Sequence, residues 1–157
     1  MNDASTAGVS APSRPGRGNM NDSGDVSHLL VDPDIKATMS VFVVDDEHTL
    51  RESCSSLLRS EGYRVEGSGR GDEALETIRR KPFDIVLLDL YMSQVHGMEL
   101  LKAALESNPD SIVIVMTGNP SVESSIEALR SGAWDYIPKP FSATHLQILM
   151  GRAAHAV

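Results

Sequence analysis

The sequence predicts an α/β protein built on a parallel sheet with helices on both faces, and three observations lead there. Short apolar runs recur along the chain, Val41-Phe42-Val43-Val44, Ile85-Val86-Leu87-Leu88 and Ile112-Val113-Ile114-Val115-Met116, without the polar alternation of a half-exposed strand. Segments of helical period separate them. Each run ends on polar residues, Asp45-Asp46, Asp89 and Thr117, and in an open α/β sheet ligands bind in the crevice beyond the carboxyl ends of the strands.

The 157 residues are 41% hydrophobic, enough for one core and an extension. Residues 1–38 are rich in Ser, Gly, Pro, Asn and Asp, too poor in aliphatic surface to order themselves, and are expected to be a disordered extension. Residues 39–157 are expected to form the domain. After the first strand, Leu50, Cys54, Leu57 and Leu58 share one face of a helix from Thr49 to Ser60. Gly62 ends it, and Tyr63 and Val65 lead into a short second strand. Asp72 is expected to cap a helix carrying Ala74, Leu75 and Ile78, stopped by Lys81-Pro82 before the third strand. Met98, Leu101 and Leu105 mark the next helix, closed by Asn108-Pro109. After the fourth strand, Asn119 is placed to cap and Pro120 to open a helix whose Val122, Ile126 and Leu129 are expected to face inward, with Gly132 past its end. Tyr136-Ile137 is a brief fifth strand, and Leu146, Leu149 and Met150 recur at helical spacing from about Ser142. Five strands alternating with five helices, joined by right-handed crossovers, make a three-layer sandwich.

Composition removes several classes of function. A net charge of −8 leaves no basic footprint, so no direct contact with nucleic acid is expected from this segment. The lone cysteine, Cys54, allows no internal disulfide, reads as a small core residue and fits the reducing cytoplasm. No stretch approaches the roughly 18 consecutive apolar residues of a membrane helix, and no secretory signal opens the chain, so no membrane partner is expected.

The strand-end residues carry chemistry together. Asp45, Asp46 and Asp89 gathered at one edge repel one another, a conflict that a hard divalent cation resolves. Mg2+ suits an all-oxygen set that leaves room for waters, and the donors argue against zinc. With Lys139 and the Thr117 hydroxyl to neutralise and bond phosphoryl oxygens, the set is equipped for phosphoryl transfer to Asp89 as a carboxylate nucleophile.

These residues resemble the receiver domains of two-component response regulators. The resemblance rests on Val43-Val44-Asp45-Asp46-Glu47, Leu87-Leu88-Asp89-Leu90-Tyr91-Met92 with Gly97, Met116-Thr117-Gly118, and Gly132-Ala133-Trp134-Asp135-Tyr136-Ile137-Pro138-Lys139-Pro140-Phe141, and it covers about residues 39–155. The Asn119-to-Phe141 stretch looks most like receivers of nitrogen-regulator-type transcriptional activators. The resemblance implies a flavodoxin-like sheet in strand order 2-1-3-4-5 and Asp89 as phosphoacceptor, with Asp46 and Asp89 as direct Mg2+ ligands. It further implies Asp45 on a metal-bound water, the Tyr91 carbonyl in the metal shell, and a cis Lys139-Pro140 peptide. Thr117 and Tyr136 would be a switch pair.

Implied partners are a sensor histidine kinase, met near His48 to Leu58, and a second copy. The copy would pair through the face made by Ser121–Arg130, the fifth strand and the last helix. The chain stops where the last receiver helix should end, so it is expected to be a stand-alone receiver or the regulatory part of a regulator with a C-terminal output domain. Ser93 and His96 stand where many relatives carry proline and an acidic residue, so the loop after Asp89 is expected to differ in shape. Two other classes stay open. One is a phosphorylation-independent interaction module, though such receivers usually lack a site residue. The other is a Mg2+-dependent phosphohydrolase, which commonly needs a second acid where Tyr91 stands.

Overall fold

A computed structural model describes residues 31–157, which form one compact unit. The strands are β1 (Ser40–Val44), β2 (Arg64–Ser68), β3 (Ile85–Asp89), β4 (Ile112–Thr117) and β5 (Asp135–Pro138). The helices are α1 (Pro33–Thr38), α2 (His48–Ser60), α3 (Gly71–Arg80), α4 (Gly97–Ser107), α5 (Val122–Arg130) and α6 (Ala143–Ala156). All strands pair in parallel, in the expected order β2-β1-β3-β4-β5.

The period of two along each strand divides the core. Phe42, Val44, Val86, Leu88, Val113 and Val115 pack with α3, α4 and α5, and Phe42 stacks on Phe83 at 4.6 Å. Val41, Val43, Ile85, Leu87, Ile114 and Met116 pack on the other face with Cys54 and Leu58 of α2 and Leu146, Leu149 and Met150 of α6. This two-sided burial is why the three central strands read as unbroken apolar runs.

The structure departs from the sequence reading in four places. The expected extension up to residue 30 lies outside the described residues, and its end is helical. Asp32 caps α1 by accepting from Asp34 N at 2.8 Å, with Pro33 at the first helical position. The helix is tied down by Lys36, which lies over the Tyr63 ring, and by Arg64 Nη2 donating to the Thr38 carbonyl at 3.2 Å.

Asp72 does not cap α3. The helix starts one residue earlier, Gly71 N donates to Gln94 Oε1 at 3.1 Å, and Asp72 pairs with Arg70. The acceptor comes from 23 residues away, beyond the reach of local sequence signals.

Asn119 and Pro120 precede the fifth helix without capping it. Ser121 is the cap, its Oγ accepting from Ser124 N at 3.0 Å. The inward face of that helix is also reversed: Val122, Ile126 and Leu129 are 75%, 44% and 49% exposed, while Ser124 and Ala128 are buried. Small side chains bring the helix close to Tyr136, whose hydroxyl takes up the Ser124 hydroxyl at 2.5 Å. Periodicity identifies a stripe but not the side to which it turns.

Gly97 opens α4 directly against the end of β3. Its N–H donates to the Leu90 carbonyl at 2.7 Å, and a Cβ there would lie 2.5 Å from Leu90 Cα and 2.7 Å from the Asp89 carbonyl oxygen. Backbone on both sides leaves no flexible atom to yield. Gly97→Ala is expected to destabilise the domain by roughly 1–3 kcal/mol, read as a lower urea midpoint at unchanged slope.

Candidate functional site

Asp45, Asp46, Asp89, Thr117 and Lys139 all stand at the carboxyl edge of the sheet. Asp45 continues β1 by donating its N–H to the Ser68 carbonyl at 3.1 Å, and Asp89 and Thr117 are the last residues of β3 and β4. Asp45, Asp89 and Thr117 are buried, and Asp46 is exposed. Carboxylate oxygens of the three Asp residues lie within 4.8 Å of one another.

Lys139 reaches them from the loop after β5, where Lys139 N donates to the Thr117 carbonyl at 2.7 Å and the Lys139-Pro140 peptide is cis, as expected. Its Nζ stands 2.7 Å from Asp45 Oδ2, 3.3 Å from Asp89 Oδ2 and 3.7 Å from Glu47 Oε1. The approach to Asp45 Oδ2 is a close ion pair, and Lys139 is the one partner of that buried oxygen among the described residues. Asp45 Oδ1 accepts from Glu47 N at 2.8 Å, and Asp89 Oδ1 accepts from Tyr91 N at 3.2 Å. Three carboxylates this close, with a single ammonium among them, make an all-oxygen set that fits a hard divalent cation.

The electrostatics follow from crowding. Burial pushes the Asp89 carboxyl above its ordinary value; Lys139 and the Tyr91 N–H oppose the shift, and the Asp45 charge adds to it. For Lys139, burial favours the neutral amine, but Asp45 and Asp89 outweigh it and hold the ammonium above its ordinary value. Cys54 is pushed up to about 11 by burial and then by Asp45, so the thiol is a packed core group.

Thr117 Oγ1 accepts from Asn119 N at 3.0 Å, leaving its own proton for a ligand. Tyr136 lies on β5, with its ring packed beside the α3–α5 core and its hydroxyl accepting from Ser121 N at 3.2 Å. Tyr91 is largely exposed and meets the His96 ring edge-on at 5.7 Å. His96 itself caps α4, its Nδ1 accepting from Met98 N at 3.1 Å, a role that an acidic residue would fill equally. Sequence reasoning missed this cap. It also missed Arg51, whose Nη1 donates to the Asp45 carbonyl at 2.8 Å; an Arg one turn into the helix after the acidic pair was its only signal.

Comparison with known proteins points to one family. The family described as response regulator receiver domain matches residues 41–150. The transcriptional regulatory protein ZraR of Klebsiella oxytoca is 41% identical over 115 residues, 73% of this chain and 26% of the relative. The chain thus spans about a quarter of the length of that relative. The beryllofluoride-activated NtrC4 receiver domain dimer superposes with a TM-score of 0.67 at 35% identity, covering 73% of this chain and 94% of that one. A response regulator from Burkholderia pseudomallei, solved with a phosphorylated aspartic acid, calcium ion and citrate, superposes with a TM-score of 0.64 at 26% identity, covering 68% of this chain and 63% of that one. Among the described residues no helix is long and apolar enough to cross a membrane.

The raised Asp89 carboxyl has a thermodynamic consequence. Below the ordinary carboxylate range both the native and unfolded states carry the proton, and the group contributes nothing. Between the unfolded value and the raised native one the native state binds more protons, so stability falls as pH rises. Metal-free Asp89→Asn is therefore expected to melt at a higher temperature than the parent at neutral pH. The gain should vanish as pH drops below the carboxylate range; a gain independent of pH would contradict this origin.

Proposed function

We propose, because this chain belongs to the response regulator receiver family, that it takes a phosphoryl group from a sensor histidine kinase onto Asp89 with Mg2+ and so controls a transcriptional output. The observation that carries the reading is the convergence of three carboxylates and the Lys139 ammonium on one sheet edge, with a buried Asp45 oxygen held by that ammonium alone. An Asp89 oxygen would attack phosphorus, and the bond from phosphorus to the donor's imidazole nitrogen would break. The electron pair would stay on that nitrogen, leaving an acyl phosphate on Asp89.

Mg2+, held by Asp46 and Asp89 directly, by Asp45 through water and by the Tyr91 carbonyl, would supply charge neutralisation for the phosphoryl oxygens. Lys139 would contact one of those oxygens, and the Thr117 hydroxyl would donate to another. Turning toward the phosphoryl group would vacate space beside Thr117, which the Tyr136 ring would fill by leaving Ser121 and Ser124. Such a bias must approach about 5 kcal/mol to convert a mostly inactive ensemble to a mostly active one.

The kinase would dock beside the site, in the cytoplasm. Two depressions there share Leu50 and Phe141: one opens toward Lys139, and the other runs between α2 and α6 past Leu57 and Leu146. Their apolar lining next to a nucleophile suits a helical partner that presents a phosphohistidine.

Incubation with acetyl phosphate and Mg2+ is expected to add one phosphoryl increment to the intact mass, lost in Asp89→Ala and with chelator. No increment from acetyl phosphate or from phosphorylated kinases would favour the interaction-module reading. Steady release of inorganic phosphate from an added phosphomonoester would favour a phosphohydrolase.

The exposed stripe Val122, Ile126 and Leu129 would be the surface through which the activated protein pairs with a second copy. Ile126→Asp is expected to keep the phosphoryl increment but stay monomeric when treated with beryllofluoride and Mg2+. Sedimentation should show the unsubstituted protein shifting to a dimer.

A further inference from the structure

We infer that Arg51 is a positioning residue for the cation site, fixing the peptide that aims Asp45 and Asp46. The inference rests on the metal-dependent reading proposed above and deepens it. Arg51 Nη1 donates to the Asp45 carbonyl at 2.8 Å, and its Nη2 meets His48 Nδ1 at 3.0 Å. The Asp45 carbonyl belongs to the same rigid plane as the Asp46 N–H. Holding that oxygen therefore sets the direction in which both carboxylates leave the chain.

The guanidinium is confined from the other side by the end of β2. A Cβ at Gly67 would touch Arg51 Cδ at 3.4 Å and Cγ at 3.5 Å, and one at Gly69 would overlap Nη1. The two glycines thus leave a flat slot that Arg51 fills, its side chain only 16% exposed. Asp45 is in this way hydrogen-bonded at three polar atoms, its N–H by Ser68, its carbonyl by Arg51 and Oδ1 by the Glu47 N–H, while Oδ2 has the Lys139 ion pair alone. Asp46, exposed, is steered by the shared peptide.

The sign of the effect separates geometry from charge. A guanidinium near the site repels a cation, so a residue acting through charge alone would weaken Mg2+ binding, and its removal would tighten it. A residue that orients ligands strengthens binding, and removing partners of this kind typically costs about 10-fold or more in metal affinity.

Calorimetric titration of Mg2+ into metal-free protein tests this with Arg51→Met, Arg51→Lys and Gly69→Ala, each checked for folding by its melting curve. Gly69→Ala keeps the arginine and displaces it from the slot, so it substitutes for Arg51→Met if that variant does not fold. Expected are about 10-fold weaker Mg2+ binding in Arg51→Met and in Gly69→Ala and an intermediate value in Arg51→Lys. The phosphorylation rate from acetyl phosphate should be restored at saturating Mg2+. Unchanged or tighter binding in both Arg51→Met and Gly69→Ala overturns the positioning role while leaving the functional reading intact. A parent protein that neither binds Mg2+ nor accepts a phosphoryl group overturns that reading, and the inference with it.

Discussion

One ammonium among carboxylates holds the site together. Lys139 is the only cation within ion-pair reach of Asp45 and Asp89 among the described residues, and both carboxylates are buried. Burying two such charges without a partner costs several kcal/mol each, and the pairing offsets that cost where the remaining lone pairs are also satisfied. Here they are only partly satisfied. Asp45 Oδ2 has no hydrogen bond and Asp89 stays above its ordinary carboxyl value, so Lys139 compensates the cluster incompletely. The fold supplies one positive charge and leaves the shortfall at the carboxyl edge of the sheet.

The pleat of the sheet also divides the carboxylates from the face that carries α5. Val44, Leu88, Val115 and Tyr136 are paired neighbours across four strands and belong to one face. One step on, Asp45 and Asp89 point to the opposite face, toward α2 and α6, and a further step returns Thr117 to the side of Tyr136. The carboxylates therefore lie on the side of the α2–α6 groove. Thr117 is the residue that joins this edge to the face carrying α5. Under the proposed function, entry of the phosphoryl group and departure of the signal use opposite faces of the sheet.

Strands and site residues were legible for one physical reason. A strand buried on both faces must be apolar throughout, so the first polar residue after each run marks the strand end, where the crevice lies. Asp45, Asp89 and Thr117 were all found in this way. Local signals failed where the partner is distant in sequence: Gly71 is capped by Gln94, and Arg51 is shaped by Gly67 and Gly69. The short α1 had its signal, Asp32-Pro33, but sat in a segment whose composition argued for disorder. For α5 the stripe was read correctly and its direction was not, because Ser124 is a suitable inward residue only when the Tyr136 hydroxyl is there to meet it.

That reversed helix bears on how the domain could change shape. Helices α4 and α6 each bury six residues, whereas α5 buries only Ser124 and Ala128. Little apolar area is lost if α5 shifts, and its remaining ties at the N-terminus run through one side chain, Tyr136. Elements with few buried apolar contacts open at the low end of a domain's stability range. An inward-facing Val122, Ile126 and Leu129 would have fixed this helix to the sheet at several kcal/mol of burial. Turned outward, the same side chains leave the helix loosely seated and give it an apolar face to bury elsewhere. Under the proposed function, the low cost of moving α5 and the reason to move it would come from one choice of helix register.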